Sequence, residues 1–332
     1  MIKTLFIYIL FSIFVYIILS LSMDKLKNQE SFNNNMYENI IIVPRFHSYG
    51  DTFSLIGMIY FLLKYYKKIY LYVSPNISSY FTSFFSGCNY SNERIFVIHD
   101  EGIIDKINNS NFGDYHICNL YEPDPDLFKQ IENIDKKYYF NSHNPFYNEL
   151  SIDEKYKQFP NLPYPFAPGT MVLNHVCDYY MMGLNNYVRM DFFNYSRDTE
   201  KEIFYKNEIL KKYNLNSDDK YNIIHSAGSN YDINTINKYN NNNFITIDIH
   251  NLIEFPGWLF LLIEDAECVN LVEGSTCNFI YHSDYKNIIK IKNPIFFHVW
   301  LRNRSWPPFG DAAWKMMITP MLSNWQFIYE DV

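Results

Sequence analysis

NIIIVPRFHSYGDTFSLIGMIYFLLKYYKKIYLYVS, residues 39–74, holds the clearest structural pattern in this chain. An apolar run over 39–46 predicts a buried strand, helical spacing of apolar residues predicts a helix over 52–66, and 67–74 predicts a second strand. A strand, a glycine-bearing turn, a helix and a strand in this order form a βαβ unit, which implies a parallel sheet. Shorter apolar runs that continue the pattern lie at 94–99 and 115–120.

A second α/β unit is predicted in the carboxyl-terminal part of the chain. It follows a charged, polar helix near 199–213 and again alternates apolar runs with helical segments. We place the first Rossmann-like domain at 37–195 and the second at 196–332. Two such parallel-sheet domains predict a cleft between the carboxyl ends of their strands, where small ligands bind. The predicted strands of the second unit are 221–228, 244–250, 268–274 and 286–293, and its predicted helices are 256–267 and 275–283.

Composition excludes several classes of protein. Of the 332 residues 48% are hydrophobic and 19% charged, which excludes a mainly disordered chain. The formal net charge of −8 argues against nucleic-acid binding through phosphate neutralisation. The five cysteines form no CxxC pair and have no zinc-ligand spacing. Abundant Tyr, Phe, Asn, Ile and Lys are typical of AT-rich coding, as in the genomes of giant viruses.

The amino-terminal segment carries a membrane signal. Residues 4–22 contain no charged side chain, and at about 1.5 Å per residue they nearly span a bilayer core of roughly 30 Å. We predict an uncleaved transmembrane anchor over 1–23, a polar stem over 24–36, and a single-pass membrane protein. A cleavable signal peptide, with Ser20 and Ser22 at small-residue cleavage positions, and a buried helix are the alternatives.

The turn HSYGD at 47–51 is the first candidate site. Gly50 permits a tight turn, and Asp51 falls at the predicted helix N-terminus. A carboxylate at the edge of the predicted cleft can accept a proton from an attacking hydroxyl, and His47 is a possible partner or alternative base. The alternative is that Asp51 only caps the helix.

The turn HSAGSN at 225–230 is the second candidate. Its small residues let a bound group approach the backbone closely. It is not a GxGxxG fingerprint, so a dinucleotide site is not predicted. An ordinary strand-ending turn, with His225 as a core histidine, is the alternative. The candidate binding residues here are Ser226, Gly228, Ser229 and Asn230.

LLIEDAECVNLVEGSTCNFIYHSD at 261–284 is the most specific candidate. An apolar strand leads into Glu-Gly-Ser-Thr, which opens a helix whose first N–H groups lack intrahelical partners and can hold a diphosphate. Gly274 keeps the approach open, Ser275 and Thr276 supply N–H groups, and Glu273 can accept hydrogen bonds from ribose hydroxyls. Capping of the helix by Ser275 is the alternative.

Two further features suggest ligands. Asp124-Pro-Asp126 matches the D-x-D pattern of metal-chelating carboxylates, but the flanking prolines favour a turn, so we predict no metal site. Arg302 and Arg304 lie among aromatic residues, and we favour an ordinary solvated loop here, with binding of a phosphate or an acceptor sugar as the alternative.

The three candidate turns resemble those of glycosyltransferases of GT-B fold. The turn at 47–51 is similar to the amino-terminal turn of heptosyltransferase-like enzymes, where the aspartate of a Gly-Asp pair acts as base, and Asp51 is the position that matches. The turn at 225–230 resembles the place where the donor's phosphate or base lies. Residues 261–284 resemble the donor-binding segment of heptosyltransferase-like and fucosyltransferase-like enzymes. The segment departs from these families at Glu273, where they often have Asp, His or Gly.

This resemblance implies two Rossmann-like domains that face a cleft and, together with the anchor predicted from residues 4–22, a membrane-anchored transferase. It implies a nucleotide-sugar donor, a glycan or protein acceptor, and neither a metal nor another cofactor. The amino-terminal domain would bind the acceptor and the carboxyl-terminal domain the donor. A non-catalytic anchored sugar-binding protein of the same fold and a sugar-nucleotide epimerase are the alternatives.

Overall fold

The computed structural model describes two α/β units and the chain between them. The predicted anchor at 1–23 and stem at 24–36 lie outside the described residues. Among the helices within the described ranges, none has the length and apolarity needed to cross a bilayer. The described residues are 37–44, 49–86, 93–99, 115–119, 139–140, 179, 184, 187–228, 231–232, 243–250, 252, 255–272, 274–298 and 322–328.

The first unit is a five-stranded parallel sheet, which confirms the predicted βαβ arrangement. Its central strand forms where the sequence predicts it, because the run from Ile40 to Val43 is buried on both faces. The elements are β1 (Tyr37–Val43), α1 (Tyr49–Ser54), α2 (Ile56–Leu62), β2 (Tyr66–Tyr72), α3 (Pro75–Ser86), β3 (Ile95–Ile98), β4 (Tyr115–Asn119) and β5 (Tyr139–Phe140), with strand order β3-β2-β1-β4-β5.

The second unit is also a five-stranded parallel sheet, with a small antiparallel pair beside it. Before this unit the chain forms α4 (Tyr187–Asp191). The elements of the second unit are α5 (Thr199–Lys212), β6 (Tyr221–His225), β7 (Ala227–Gly228), β8 (Tyr231–Asp232), β9 (Ile245–Asp248), a 3₁₀ turn (Pro256–Leu259), α6 (Phe260–Glu264), β10 (Cys268–Val272), α7 (Ser275–Tyr285), β11 (Ile295–His298) and β12 (Trp325–Ile328), with strand order β12-β11-β10-β6-β9.

Each sheet has a point where the strand order reverses. In the first sheet it lies between β1 and β4, and in the second between β6 and β10. Ligands of open parallel sheets bind outside the carboxyl ends of the strands at such points. The turns that follow β1, β6 and β10 are the three turns singled out by the sequence.

The predicted single helix over 52–66 is wrong, because the structure breaks it at Leu55 into α1 and α2. The hydroxyl of Tyr179, 125 residues along the chain from Ser54, lies in the break. It donates to the Ser54 carbonyl at 3.0 Å and accepts from the Met58 amide at 2.8 Å. These two backbone groups are the i and i+4 partners of a continuous helix, so the inserted hydroxyl replaces their direct bond.

The predicted strand at 286–293 is also wrong. Helix α7 ends at Tyr285, and Asn287 has a φ of 55°, which turns the chain away from an extended path. Ile289 and Ile291 are buried, yet they belong to irregular chain. The strand begins only at Ile295. The alternation of apolar residues in this segment therefore reflects burial of their side chains, and the segment does not pair as a strand.

One aromatic core joins the two units. Phe53 of α1 contacts Phe279 of α7, with ring centroids 5.1 Å apart, and Phe84 of α3 contacts Phe279 at 5.7 Å. Phe193, in the segment that connects the units, packs on Phe53 at 5.7 Å and on Phe279 at 6.3 Å. All four rings are buried, so this contact holds α1 against α7.

The change of packing partner along the chain lies near residue 195. Helix α4 packs on α2 of the first unit, whereas α5 packs on α6 and the 3₁₀ turn of the second. Arg197, just before α5, donates to Glu264 of α6 at 2.7 Å and to buried Glu202 of α5 at 2.9 Å. The domain boundary at 195/196 stays a prediction.

Candidate functional site

The turns after the central strands of the two sheets meet. A Cβ atom placed on Gly50, in the first turn of α1, would lie 4.0 Å from the backbone nitrogen of Ser275, the first residue of α7. The reversal points of the two sheets therefore face each other across a short distance. The structure brings together two of the three candidate segments.

Asp51 lies in this contact region as the third residue of α1. The helix begins at Tyr49, so the expectation that Asp51 is the N-cap residue is wrong, and the residue lies inside the first turn. A carboxylate at this position still interacts favourably with the helix dipole. The side chain of Asp51 and the whole of His47 lie outside the described part of the chain.

Helix α7 begins at an open position. Its N-cap residue is Gly274, in extended conformation with φ 167° and ψ −178°, and no side chain caps the helix. The alternative that Ser275 caps the helix is therefore wrong. A Cβ atom placed on Gly274 would meet nothing within 4 Å. Ser275 and Thr276 are half-buried in the first turn, where backbone N–H groups have no intrahelical partners. Glu273 lies outside the described residues.

The turn after β6 is held by a carboxylate that the sequence reading missed. The Ser226 hydroxyl donates to Asp248 Oδ2 at 2.5 Å, and the other carboxylate oxygen accepts from the His250 amide at 2.9 Å. The Ser226 side chain thus binds within the protein. Gly228 lies in β7, and the candidates Ser229 and Asn230 lie outside the described residues.

Two histidines lie beside this carboxylate, and neither was predicted from the sequence to bind a ligand. The rings of His225 and His250 are 5.2 Å apart, and the Nδ1 atoms of both are buried without a hydrogen-bond partner among the described residues. Burial, with a smaller contribution from His250, lowers the pKa of His225 to about 4, although Asp248 opposes the shift. His225 is therefore neutral at pH 7. Polar residues at the carboxyl end of the 244–250 run are the signal that could have identified this cluster.

A buried polar row crosses the second sheet and ends at the same edge. His298 Nε2 lies 3.0 Å from Asn270 Oδ1, Asn270 Nδ2 lies 3.6 Å from Cys268 Sγ, and Cys268 Sγ lies 3.3 Å from Asn222 Oδ1. The signal in the sequence is an asparagine inside each of two apolar runs, YNIIH and CVNLV. This row places the His298 imidazole at the carboxyl end of β11, next to β10.

Metal-ligating side chains do not cluster in the part of the chain that the structure covers, where no group of three His, Cys, Asp or Glu could hold an ion. The D-x-D pair Asp124 and Asp126 lies outside that part, as do Arg302 and Arg304. The assignments made to these four residues stay predictions.

Comparison with known proteins identifies no family. No protein-family model matches the chain, and no curated protein matches it. Two solved structures are similar in part. One is the glycosyl transferase family 9 protein from Veillonella parvula DSM 2008, with 10% identity, a TM-score of 0.43, and coverage of 80% of this chain and 81% of that chain. The other is ADP-heptose lps heptosyltransferase II from E. coli, with 8% identity, a TM-score of 0.42, and coverage of 88% and 90%. The fold assignment itself rests on the order and direction of the strands described above.

Proposed function

We propose that this protein transfers a glycosyl group from a nucleotide-sugar donor to a hydroxyl group of a glycan or protein acceptor, without a metal. The contact between Gly50 and Ser275 carries the proposal. It sets the helix that contains a candidate base against a helix start suited to a diphosphate. A donor and an acceptor bound at these two turns would lie next to each other.

The donor would bind to the second unit. The first N–H groups of α7 and the positive end of its dipole favour a diphosphate, and the open space at Gly274 leaves room for one. Sites that bind phosphate in this way need no side-chain cap. The turn held by Asp248 and Ser226 follows β6, which pairs with β10, so it borders the same place.

The acceptor would bind to the first unit, with Asp51 as general base and His47 as the alternative base. The acceptor oxygen would form a bond to the anomeric carbon while the bond to the diphosphate oxygen breaks. The base would take the hydroxyl proton, and the α7 N–H groups would stabilise the negative charge that develops on the leaving diphosphate. In this step the base accepts the proton and the α7 N–H groups stabilise the leaving diphosphate, so the proposed reaction needs no metal ion.

A screen of the purified full-length chain against nucleotide sugars tests the proposal. A ligand at 100 times its Kd stabilises a folded protein by about 2.7 kcal/mol, so a true donor should raise the melting temperature clearly. Release of nucleoside diphosphate with an acceptor mixture then measures transfer. No shift with any nucleotide sugar or nucleoside diphosphate would contradict the proposal. A shift without release of nucleotide would indicate a sugar-binding protein that is not an enzyme.

We also propose that residues 4–22 anchor the protein in a membrane, because this segment has no charged side chain. The full-length chain should stay with membranes through an alkaline carbonate wash. A chain that lacks 1–23 should be soluble and folded, because the apolar pattern that forms the core begins only at Asn39. Release of the full-length chain by the wash would contradict the anchor.

A further inference from the structure

The hydroxyl of Tyr179 is the feature that separates α1 from α2. Tyr179 is fully buried, and its hydroxyl bonds both to the last residue of α1, Ser54, and to Met58 of α2. At the junction the Leu55 amide donates to the Thr52 carbonyl at 3.1 Å, a tight turn that closes α1. Without the hydroxyl, the Ser54 carbonyl and the Met58 amide are the two groups that a continuous helix would pair.

Helix α2 is packed tightly against α4 near this junction. A Cβ atom placed on Gly57 would lie 2.4 Å from the carbonyl oxygen of Arg189 and 2.6 Å from its Cα, so the backbones of α2 and α4 are in close contact. Buried side chains of α2, Met58 and Ile59 among them, pack into the core of the first unit. A change at the junction would therefore redirect α1, which carries Gly50 and Asp51.

A small change in the direction of α1 causes a large displacement of its first residues, which lie at the site. Six residues of helix are about 9 Å long. A bend of about 20° at Leu55 would shift the first residue of α1 by roughly 3 Å. A misplacement of about 1 Å can cost about 10²-fold in catalysis. The contact between Gly50 and Ser275 depends on the direction that the break imposes.

We propose that Tyr179 is a positioning residue: its hydroxyl, inserted between the Ser54 carbonyl and the Met58 amide, sets the direction of α1 and so the place of Asp51 opposite the start of α7. This inference rests on the proposed function, because it assigns Asp51 to the reaction. The structural part, the separation of α1 from α2, stands without it.

Tyr179→Phe in the full-length chain tests the inference, and Tyr221→Phe is the matched control. Tyr221 is also buried, and its hydroxyl donates to the Leu262 carbonyl at 2.9 Å, far from α1 along the chain. Both variants lose one buried tyrosine hydroxyl that binds the backbone. The measurements are melting temperature, kcat and donor KM for transfer, and amide hydrogen exchange over 49–62.

We expect Tyr179→Phe to lower kcat by tenfold or more and to leave donor KM within about twofold. The exchange rates of the amides in α1 and at Met58 should change. Tyr221→Phe loses one backbone hydrogen bond where Tyr179→Phe loses two, so it should lower the melting temperature but leave kcat and the exchange of 49–62 as in the wild type. A structural role alone would make the two variants alike in kcat.

Equal kcat values for the two variants, with an active wild type, would overturn the inference and leave the proposed function intact. A wild type that transfers no sugar would overturn the proposed function and, with it, the role of Asp51. In that case hydrogen exchange still decides the structural part, and unchanged exchange over 49–62 in Tyr179→Phe would overturn that part as well.

Discussion

Helices α1 and α7 occupy equivalent places, each after a strand next to the reversal point of its sheet, but they are built in opposite ways. The first leads directly into α2, which is clamped: a Cβ atom on Gly57 of α2 would lie 2.4 Å from the Arg189 carbonyl oxygen. The second is open: a Cβ atom on Gly274 would meet nothing within 4 Å. A clamped helix suits a group that must be placed accurately, and an open helix start suits a ligand that must enter.

The two helices are nevertheless one packed unit. Phe53 of α1 contacts the rings of Phe279 and His282 on α7, at 5.1 Å and 5.8 Å. His282 is buried, and its Nδ1 lies 2.5 Å from the Asn278 carbonyl oxygen. The contrast between clamped and open therefore concerns α2 at Gly57 and the start of α7 at Gly274, while the bodies of α1 and α7 share a core.

Asp51→Asn should give the largest effect, because it tests the clamped side as the source of the base. Asparagine keeps the shape of the side chain but cannot take a proton from an acceptor hydroxyl, and such help contributes about 10²–10⁴-fold. Transfer should fall by about two orders of magnitude or more. The melting temperature should change little, since the carboxylate near a helix N-terminus contributes about 0.3–1 kcal/mol. Near-normal turnover would assign the base elsewhere, with His47 the first candidate.

Gly57→Ala tests the clamp itself through stability. The new methyl group would overlap the Arg189 backbone, which cannot move as a flexible side chain does, so we expect a loss of about 2–3 kcal/mol in the free energy of unfolding by urea. Gly50→Ala is the matched control on α1. Its methyl group would lie at an ordinary 4.0 Å from Ser275 N, and stability should stay within about 1 kcal/mol. Equal losses for the two variants would show that the clamp does not exist.

Gly274→Val tests the open side through binding. The extended backbone at Gly274 accepts any residue, and the space around it is free, so the variant should fold normally. Its side chain would occupy the approach to the first N–H groups of α7. Donor or nucleoside diphosphate affinity should fall about tenfold or more by calorimetric titration, and Gly274→Ala should lose less. Unchanged affinity in the valine variant would remove this helix start from the site.

Acidification should lower the free energy of unfolding, because His282 is buried in the core that α1 and α7 share. This is the smallest of the four predicted effects. Burial, together with the nearby charge of Arg189, lowers the pKa of His282 to about 3. As the pH falls, the unfolded chain therefore binds a proton at this histidine before the folded protein does. The resulting loss of stability begins as the pH falls through about 6.5, the value for an unfolded chain, and continues to about pH 3.

This acid effect is measurable by urea unfolding at two pH values. Between pH 7 and pH 5.5 His282 alone should contribute about 1 kcal/mol to this loss, and His282→Gln should remove that contribution. His225, whose pKa is lowered to about 4, should contribute a similar loss that remains in the variant. A variant with the full wild-type pH dependence would contradict burial of a neutral His282 in the core.

The local pattern of apolar and polar residues determined much of the fold. Long apolar runs such as IIIV in β1 and the run in β10 need burial on both faces, and a helix between two strands enforces parallel pairing. These are short-range properties, so the two parallel sheets and the turns after β1, β6 and β10 were predicted from sequence. The start of α7 at Ser275 followed from Gly274, because glycine ends the strand and leaves the first N–H groups accessible.

Tertiary structure decided the features that depend on contacts between distant segments, which the local pattern of apolar residues does not show. The break in the first helix depends on a hydroxyl from Tyr179, far along the chain, and no periodicity within 52–66 records it. The chain at 286–293 alternates like a strand, but its apolar side chains fill the core without a pairing partner, and the strand forms at Ile295 instead. The Ser226–Asp248 bond joins the residue that follows β6 to the last residue of β9. Sequence thus set the sheets and the places of their turns, because burial and periodicity are local, whereas the direction of α1 and the contacts of the turns arise only when distant segments meet.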